Sequence, residues 1–321
     1  MHKIQKAIND LWEEHSHFKD KQRSWLNQMG ETQRLAALFR KCFHQWRPLS
    51  AYVRAGSSGG EGSFGLSLRF FGQEVARLTR RNGEIHLSIS GKTAQTNKQF
   101  FPELSVGQGR YPWNSTKERD GEAKKFRRFF RDKTSSSFRL HSPEHAVESR
   151  FIREMSSKSS TKFNGMFSGI QPVTIAGFPL QVPLPISGSS GSPKAKPGHI
   201  DILARRRTGK VYLSVWELKA PGAYKHALLQ VYIYAATLLK MLRDPDYGQK
   251  WYRMFGFSGN LPKALRIEAV IAITKDQQAK LHIERENNKD LPLQIGNDRI
   301  DLFVAYYDRD TLRLDYEKIE L

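Results

Sequence analysis

Residues 199 to 242 restrict the fold of this chain more than any other segment. Two stretches with the period-two alternation of β-strands, HIDILARR and KVYLSVWELK, flank the pair Thr208-Gly209, which suits the turn of a hairpin. A largely apolar stretch with helical spacing follows, from about residue 223 to 242. A hairpin followed directly by such a helix predicts a sheet covered by that helix, and therefore an α/β domain.

Elements on both sides extend this pattern. The stretch SPEHAVESRFIREM predicts a helix, because Ser142 can cap it and Pro143 suits its first position. A strand candidate lies in PVTIAGFPLQVPLPI, and a flexible connection, SGSSGSPKAKPG, joins it to the hairpin. Two more strand candidates, LRIEAVIAIT and IDLFVAYYD, follow the long helix. The predicted order is α-β-β-β-α-β with additions, around a mixed central sheet.

The hairpin gathers residues that suit metal-assisted chemistry. Folding it about its turn brings Asp201 within about one residue of Glu217 on the neighbouring strand. Period-two geometry then puts Glu217 and Lys219 on one face. Two carboxylates that share Mg²⁺ or Mn²⁺ can hold a phosphate and lower the pKa of a bound water, and a lysine beside them can orient that water. These three residues are therefore candidates for phosphodiester hydrolysis, with both acids as metal ligands.

Glu148 is a candidate for the same site. It lies on the buried column of the helix that begins near Pro143, and a carboxylate at a buried edge needs a partner. It is predicted to be a further metal ligand or a catalytic acid close to the metal, with Glu144 one turn earlier as its substitute. The alternative is an ordinary boundary glutamate that pairs with Arg150 or Arg153.

The long helix carries a polar pair. Gln230 and Tyr234 are four residues apart and so lie on the same helical face, which can look back at the site. Gln230 interrupts the apolar stretch LLQVYIYAATLL, and a polar amide that faces a sheet normally has hydrogen-bond partners. The alternative for Gln230 is a satisfied amide of the core.

The charge of the chain indicates its kind of partner. The sequence has 52 Lys and Arg against 32 Asp and Glu, which gives a net charge of +20 and a pI near 10.0. Such a surface attracts polyanions, and contacts between Lys or Arg and phosphates release condensed counterions. Nucleic acid is the favoured partner, and an acidic membrane face or an acidic protein is the alternative.

A basic helix is predicted within residues 117 to 139, with EAKKFRRFFRDK at its centre. Helical spacing puts three phenylalanines on one face and five basic residues mostly on the other. The phenylalanines are Phe126, Phe129 and Phe130, and the basic residues are Lys124, Lys125, Arg127, Arg128 and Arg131. The basic face is a candidate surface for binding DNA phosphates, whereas the alternative is an ordinary solvated face.

Residues 1 to 112 are predicted to form an α+β accessory domain for substrate or partner binding, and residues 113 to 321 the domain that carries the site. A helix over residues 2 to 29 has Ile4, Leu11, Phe18 and Trp25 at seven-residue steps. This spacing indicates packing on its own domain, or alternatively a helix that joins a homodimer or another partner. A second helix is expected near residues 32 to 45.

The rest of this region has strand character. Period-two alternation in FGLSLRFF, QEVARLTRR and EIHLSIS predicts an antiparallel meander with Asn82-Gly83 as a hairpin turn. Nearby, Ser90-Gly91-Lys92-Thr93 resembles the end of a nucleotide-binding loop, but the glycine-rich part that should precede it is missing. ATP-driven activity would therefore need a protein partner with ATPase or helicase activity.

Composition argues against several other classes. The mean hydropathy is −0.59, and no apolar run approaches the ~20 residues that span a bilayer. The start MHKIQKAINDLWEEH is amphipathic and lacks the apolar region of a signal peptide, so we expect a cytoplasmic protein with no membrane partner. Cys42 is the single cysteine, which excludes an internal disulfide. His141 and His145 have no Cys or His cluster that would complete a zinc site.

Three stretches together, GHIDIL, WELK and QVYIY, resemble the PD-(D/E)xK nuclease superfamily. The similarity is to its RecB-type and lambda-exonuclease-like branch, which has a QxxxY helix after the catalytic lysine. The resemblance covers about residues 142 to 275 and implies a restriction-endonuclease-like αβββαβ core. The first 112 residues carry no part of the resemblance.

The resemblance also implies roles for individual residues. Asp201 and Glu217 correspond to metal ligands for Mg²⁺ or Mn²⁺, and Lys219 to the catalytic lysine. Gln230 and Tyr234 correspond to residues that contact the substrate or support the site. Glu148 corresponds to the acidic residue often found on the first core helix. The sequence departs from the family motif at Pro197, which stands four residues before Asp201 and not directly before it.

Two functions are consistent with these patterns. The first is a metal-dependent deoxyribonuclease that acts in bacterial DNA processing or in defence against foreign DNA. The second is a non-catalytic DNA-binding or scaffold subunit of a larger nuclease complex. The complete set of acids and lysine favours the first, because a protein without catalysis has no physical need to keep two unpaired carboxylates and a lysine at one site.

Overall fold

The computed structural model describes residues 2–40, 46–54, 65–81, 84–113, 121–133, 143–156, 167, 169–308, 311 and 314–318. The chain divides into two compact units. The first unit comprises residues 1–26, 151–173 and 181–321, and the second comprises residues 27–150 and 174–180. Both units combine helices with a sheet, and together they confirm the predicted α/β class with mixed sheets.

The helices and strands are numbered in chain order. The helices are α1 (Lys3–Glu14), α2 (His17–Arg40), α3 (Gly91–Thr96), α4 (Gly121–Arg131), α5 (Pro143–Ser156), α6 (Ala227–Leu242), α7 (Gly248–Met254) and α8 (Gln278–Glu286). The strands are β1 (Ser50–Arg54), β2 (Gly65–Phe70), β3 (Gln73–Arg81), β4 (Glu84–Ile89), β5 (Gly109–Pro112), β6 (Ile170–Pro172), β7 (Thr174–Ile175), β8 (Phe178–Gln181), β9 (Pro183–Leu184), β10 (Gly198–His199), β11 (Ile202–Thr208), β12 (Lys210–Leu218), β13 (Arg266–Thr274), β14 (Gln294–Ile295), β15 (Asp298–Tyr307) and β16 (Leu314–Lys318).

A mixed sheet forms the centre of the first unit, in the order β14-β15-β13-β12-β11-β6, with β16 beside β15. Strands β6, β11 and β12 are antiparallel neighbours, whereas β12, β13 and β15 run parallel. Strand β13 is buried along nearly its whole length, as expected of a parallel strand covered on both faces. The chain order from α5 through three antiparallel strands and α6 to the parallel strand β13 is the predicted order.

Helix α6 is buried on nearly all sides, since 14 of its 16 residues are buried. A helix that is apolar around its whole circumference belongs in the core, and α6 lies against β12, β13, α1, α7 and α8 of the same unit. It begins at Ala227, later than the sequence predicted. His226 precedes it in the left-handed conformation with φ of +63°, so the residues before it form a turn that leads from the hairpin into the helix.

The N-terminal helices differ from the prediction of one helix over residues 2 to 29 and another over 32 to 45. The break falls at His15, which leaves the helical conformation and closes α1 with a hydrogen bond from its N–H to the carbonyl of Leu11. Helix α2 continues through Gly30. Burial of Met29 and Leu35 on either side outweighs the cost of a glycine inside a helix, which is roughly 1 kcal/mol.

The first part of α2 packs within the first unit, whereas the favoured interpretation expected it to pack on its own predicted domain, residues 1 to 112. Phe18 and Trp25 are each 1% exposed. Gln22 accepts a hydrogen bond of 3.1 Å from the indole N–H of Trp251. Burial of Phe18 and Trp25 within the chain itself therefore accounts for the apolar spacing of this part of α2.

The second unit is built on a sheet in the order β5-β4-β3-β2-β1-β8-β7. Strands β2, β3 and β4 form the predicted antiparallel meander, and the predicted turn at residues 82 and 83 lies outside the described residues. Phe70, Phe100 and Phe130 form an aromatic cluster with ring centroids 5.2 to 5.5 Å apart. This cluster joins α4 to the sheet.

The predicted domain boundary at residue 112 differs from the observed division. Residues 1–26 count with the first unit, and residues 113–150 count with the second. The border between the two units falls within two helices. It lies between Leu26 and Asn27 in α2 and between Arg150 and Phe151 in α5. Hydrophobic spacing shows that a helix has a buried face but not which sheet covers it, so spacing alone could not locate these divisions.

Within the described residues, no helix is both long enough and apolar enough to cross a bilayer.

A buried ion pair fixes the N-terminal half of α5 in the second unit. The guanidinium of Arg69 on β2 donates a 3.0 Å hydrogen bond to the carboxylate of Glu148, and both side chains are about 5% exposed or less. Arg69 also lies over the ring of Tyr52, 4.2 Å from its centroid. Burial raises the pKa of Tyr52 above its usual range, and the charge of Glu148 adds to the effect, so the phenol stays neutral beside the pair.

We predict that Arg69→Met lowers the free energy of unfolding by about 3 to 5 kcal/mol, because it leaves the Glu148 carboxylate buried without its cation. Urea denaturation followed by circular dichroism measures this loss. Arg77→Met is the matched control, since Arg77 is 44% exposed where it pairs with Glu74 and should contribute under about 1 kcal/mol. Equal losses in the two variants would contradict the importance of the buried pair.

Candidate active site

The register of the hairpin positions the first two site residues. The hairpin turns at Gly209, as predicted, with φ of +79°, a conformation that glycine adopts without strain. The ladder ends with Ile202 opposite Trp216. One residue further on, Asp201 therefore reaches the level of Glu217, which confirms the predicted juxtaposition.

The carboxylates of Asp201 and Glu217 are close together. Each contributes an oxygen atom to a group whose members lie within 4.8 Å of one another. Asp201 Oδ2 accepts a 2.9 Å hydrogen bond from the backbone N–H of Leu218, which fixes the orientation of this carboxylate. Glu217 is 2% exposed. Carboxylate oxygens at this spacing can share one divalent cation such as Mg²⁺ or Mn²⁺.

Lys219 connects the strand to the helix. Its ammonium donates hydrogen bonds of 2.7 Å to Glu217 Oε1 and 2.8 Å to Gln230 Oε1. Its backbone is fixed as well, because its N–H donates to the carbonyl of Ala272 over 2.9 Å and its carbonyl accepts from the hydroxyl of Tyr307 over 2.6 Å. The side chain of Lys219 is 12% exposed, so its positive charge lies in a largely water-excluded place next to the Glu217 carboxylate.

Gln230 and Tyr234 share a helical face, as predicted. The amide nitrogen of Gln230 lies 3.3 Å from the hydroxyl of Tyr234, to which it donates. Burial raises the pKa of Tyr234, and the negative charge of Glu217 raises it further. Gln230 is thus a satisfied buried amide, but its partners are Lys219 and Tyr234. The two alternatives for Gln230, an amide satisfied in the core and a residue of the candidate site, are therefore compatible with the same hydrogen bonds.

The segment predicted as a flexible connection lies directly on α6. Ser187 and Lys194 exchange two backbone hydrogen bonds of 3.0 Å. A Cβ at Gly188 would come within 3.2 Å of Gln230 Cα, and a Cβ at Gly198 would come within 3.2 Å of the Tyr234 ring. The glycines thus permit a close approach of backbone to the helix, and the segment covers the Gln230-Tyr234 face.

Sequence reasoning missed two side chains that support the site. Tyr307, at the end of β15, fixes the Lys219 carbonyl from a strand that is 88 residues away in sequence. The side chain of Ser187 lies close enough to Tyr234 to lower the pKa of its phenol, against the effect of burial. Neither residue has a sequence signal, because a tyrosine in an apolar strand and a serine in a Ser/Gly-rich segment are both ordinary. The parallel pairing of β13 with both β12 and β15 brings Tyr307, at the end of β15, to the same edge of the sheet as Lys219, which directly follows β12.

Glu148 lies in the second unit, where Arg69 holds its carboxylate. His145 Nδ1 lies 3.4 Å from the other carboxylate oxygen. An ion-paired boundary glutamate was the alternative interpretation, but with Arg150 or Arg153 as its partner. The partner is 79 residues away in sequence, so inspection of the neighbouring helical turns could not find it.

Helix α4 confirms part of the predicted basic helix, whereas residues 117–120 and 134–139 lie outside the described residues. Phe126 and Phe130 are fully buried, and Phe129 is only half-buried. Arg127 lies over the ring of Trp46, 5.1 Å from its centroid, and Lys125 pairs with Glu122 at 2.7 Å. Arg127 therefore contributes to packing. The side chains of Lys124, Lys125 and Arg128 lie at the half-buried or exposed positions of the helix.

Comparisons of the chain with protein-family models, with curated proteins and with solved structures gave no match.

We predict that Lys219→Met lowers the free energy of unfolding of the metal-free protein by about 3 kcal/mol, because Glu217 loses the cation that offsets its burial. Adding Glu217→Gln should recover much of the loss, since the double variant no longer buries an uncompensated charge beside Asp201. Denaturant unfolding in EDTA measures both changes. The single variant Glu217→Gln is measured as well, and if the losses of the two single variants simply add in the double variant, Lys219 and Glu217 are not coupled.

Proposed function

We propose that this protein is a metal-dependent nuclease that hydrolyses DNA phosphodiester bonds, with Asp201, Glu217 and Lys219 at its catalytic centre. The observation that carries the proposal is the position of Lys219, whose ammonium contacts Glu217 at 2.7 Å and Gln230 at 2.8 Å. A buried lysine beside two neighbouring carboxylates has the parts that phosphodiester hydrolysis needs. The order of strands and helices around these residues is that of the core implied by the sequence resemblance.

The donor set fits a hard divalent cation. Asp201 and Glu217 offer carboxylate oxygens within 4.8 Å of each other, and Mg²⁺ and Mn²⁺ prefer oxygen ligands. When bound, such an ion would supply the Lewis acidity that holds a phosphate oxygen and lowers the pKa of a bound water. The N–H of Leu218 keeps the Asp201 carboxylate turned towards the ligand position.

Lys219 would neutralise negative charge that develops on the phosphate and orient the attacking water. The hydrogen bonds to Gln230 and Tyr307 keep the side chain and backbone of Lys219 in place before substrate arrives, so little reorganisation is needed during the reaction. Tyr234 stays protonated over the working pH range because burial raises its pKa. It would therefore act as a neutral support for Gln230 and not as a base.

A carboxylate from α5 remains a proposed third ligand. Glu148 was the predicted residue and Glu144 its substitute. Arg69 holds Glu148 in a buried ion pair, and withdrawing this carboxylate towards a metal would leave Arg69 uncompensated. Glu144, the substitute, lies in the first turn of α5 and is half-buried, and it stays a candidate from the sequence alone.

DNA is the proposed substrate because of charge. The chain carries +20, and α4 presents basic side chains on the face opposite its buried phenylalanines. Cationic surfaces bind the phosphate backbone with little dependence on sequence. The second candidate function is a non-catalytic DNA-binding subunit, which would keep this binding and lack cleavage.

We predict cleavage of DNA in Mg²⁺ or Mn²⁺ and a loss of at least about a hundredfold in rate for Asp201→Asn and for Lys219→Met. The first change weakens the metal site, and the second removes a positive charge from the reacting phosphate. Gel assays of a closed circle and its linear form, in each metal and in EDTA, measure the rates and separate endonuclease from exonuclease. Asp246→Asn is the control, since Asp246 is an exposed acid of the same unit.

The control should cleave like the unchanged protein. DNA binding without cleavage of either substrate in either metal would support the non-catalytic alternative. Cleavage that survives Asp201→Asn would place the reaction at another site.

We predict that Lys124→Gln, Lys125→Gln and Arg128→Gln together weaken DNA binding and reduce the slope of log K against log salt by about 2 to 3, one counterion-release step for each lost cation. Arg127 is left unchanged because it packs on Trp46. Fluorescence anisotropy over a salt series measures the slope.

The matched control changes three exposed lysines of the first unit, Lys250, Lys263 and Lys289, to Gln. An equal reduction of the slope in this control would assign the effect to net charge. An unchanged slope in the α4 variant would mean that this face is merely solvated.

A further inference from the structure

A cavity of about 690 Å³ lies in the first unit between α1, the C-terminal half of α6 and the turn between β14 and β15. Pockets for small molecules have volumes of about 300 to 1,000 Å³. On α6 the cavity is lined from Ala236 to Arg243, whereas Gln230 belongs to the candidate active site. At 1.5 Å per residue, Gln230 and Lys240 are about 15 Å apart along the helix. The cavity is therefore distinct from the candidate active site.

Lys240 provides a positive charge in this cavity. Its ammonium donates a 2.8 Å hydrogen bond to Asn9 Oδ1 and lies 5.9 Å from the centre of the Trp12 ring. Among the described residues, no carboxylate lies within 4.0 Å of this ammonium. Burial lowers the pKa of Lys240, although the charge of Glu13 opposes this shift. A bound anion would relieve the cost of keeping this ammonium charged.

The other charged groups around the cavity already have partners of opposite charge or backbone donors. Arg243 donates to both carboxylate oxygens of Asp298. Lys19 pairs with Asp246 at 3.1 Å. The carboxylate of Asp244 accepts from two backbone N–H groups. Within the described part of the chain, Lys240 is consequently the lysine or arginine of this cavity that has no carboxylate within 4.0 Å, and it can bind the negative charge of a ligand.

The remaining lining suits a planar ring with polar edges. Trp12 is half-buried and offers an aromatic face, and Leu239, Pro292 and Ile295 add apolar surface. Gln5 is 8% exposed, and its Oε1 atom has no hydrogen-bond partner within the described part of the chain. A buried acceptor without a partner costs about 1 to 3 kcal/mol. A donor on a bound ring, such as the amino group of a nucleobase, would remove that cost.

We propose that this cavity binds an anion carried by a planar, hydrogen-bonding ring, and specifically a nucleoside monophosphate. Lys240 holds the phosphate, the base lies against Trp12, and an exocyclic amino group of the base donates to Gln5. The inference goes beyond the proposed nuclease function and stands independently of it, because no residue of the cavity belongs to the candidate active site.

Isothermal titration of the full chain in EDTA tests this site, with AMP, CMP, GMP and UMP as ligands. Adenosine and ribose 5-phosphate are the comparison probes, because each lacks one of the two recognised parts. We expect saturable binding of AMP, CMP or GMP, weaker binding of UMP, which lacks the amino group, and binding of both comparison probes at least about tenfold weaker.

Variants identify the residues responsible. Lys240→Gln should weaken nucleotide binding at least about tenfold, because a charge-assisted hydrogen bond is lost, and leave adenosine binding unchanged. Trp12→Leu should weaken both. Lys3→Gln, an equal change of charge on the exposed face of α1, should have no effect, and neither should Lys219→Gln. Circular dichroism checks folding, and Trp12→Met, which also removes the ring, replaces Trp12→Leu if the latter unfolds.

Three results would overturn the proposal. One is the absence of saturable binding of any of the four nucleotides up to about 1 mM. Another is nucleotide binding that Lys240→Gln leaves intact. The third is binding lost in Lys219→Gln, which would assign the nucleotide to the candidate active site.

Discussion

The antiparallel register of β11 and β12 is the constraint on which the candidate site depends. With Ile202 opposite Trp216, Asp201 lies beside Glu217. Because side chains alternate along a strand, a shift of the register by one residue would turn Glu217 and Lys219 to the other face. The turn at Gly209 sets this register, and the burial of the residues on both strands maintains it. The geometry of the candidate site therefore rests on a hairpin whose turn at Gly209 lies eight residues from each of the two acids.

The hydrogen bonds of Lys219 determine how charge is arranged in the candidate site. Its ammonium is shared between the buried Glu217 and the amide of Gln230, and Gln230 is in turn held by Tyr234. In a place with little water, each of these contacts is stronger than it would be at the surface. The same surroundings raise the free-energy cost of a side chain that loses its partner, so the stability of each residue in this hydrogen-bonded network depends on the others. Such a network is expensive to keep unless it serves a reaction, which supports the catalytic proposal over the scaffold.

Other buried ions have a different role. Arg69 and Glu148 join α5 to β2 within the second unit, and Arg243 joins the end of α6 to Asp298 in the first. These pairs are complete in themselves, since a cation and an anion satisfy each other. The two carboxylates of the hairpin differ from these pairs, because they lie within 4.8 Å of each other and Lys219 donates to Glu217. Two carboxylates so close together repel each other, and a shared divalent cation would relieve that repulsion.

The sequence by itself determined the α/β class, the hairpin with its turn and the long buried helix, and it predicted five residues of the candidate site, Asp201, Glu217, Lys219, Gln230 and Tyr234. These follow from periods of two and 3.6 residues and from a short turn, all of which are local properties. The tertiary structure alone decided the partner of Glu148, the place of α1 and the first part of α2 in the unit that carries the site, and the role of Tyr307. Each of these depends on contacts between residues far apart in sequence. Local spacing shows that a side chain is buried, but only the packing of distant elements determines what it is buried against.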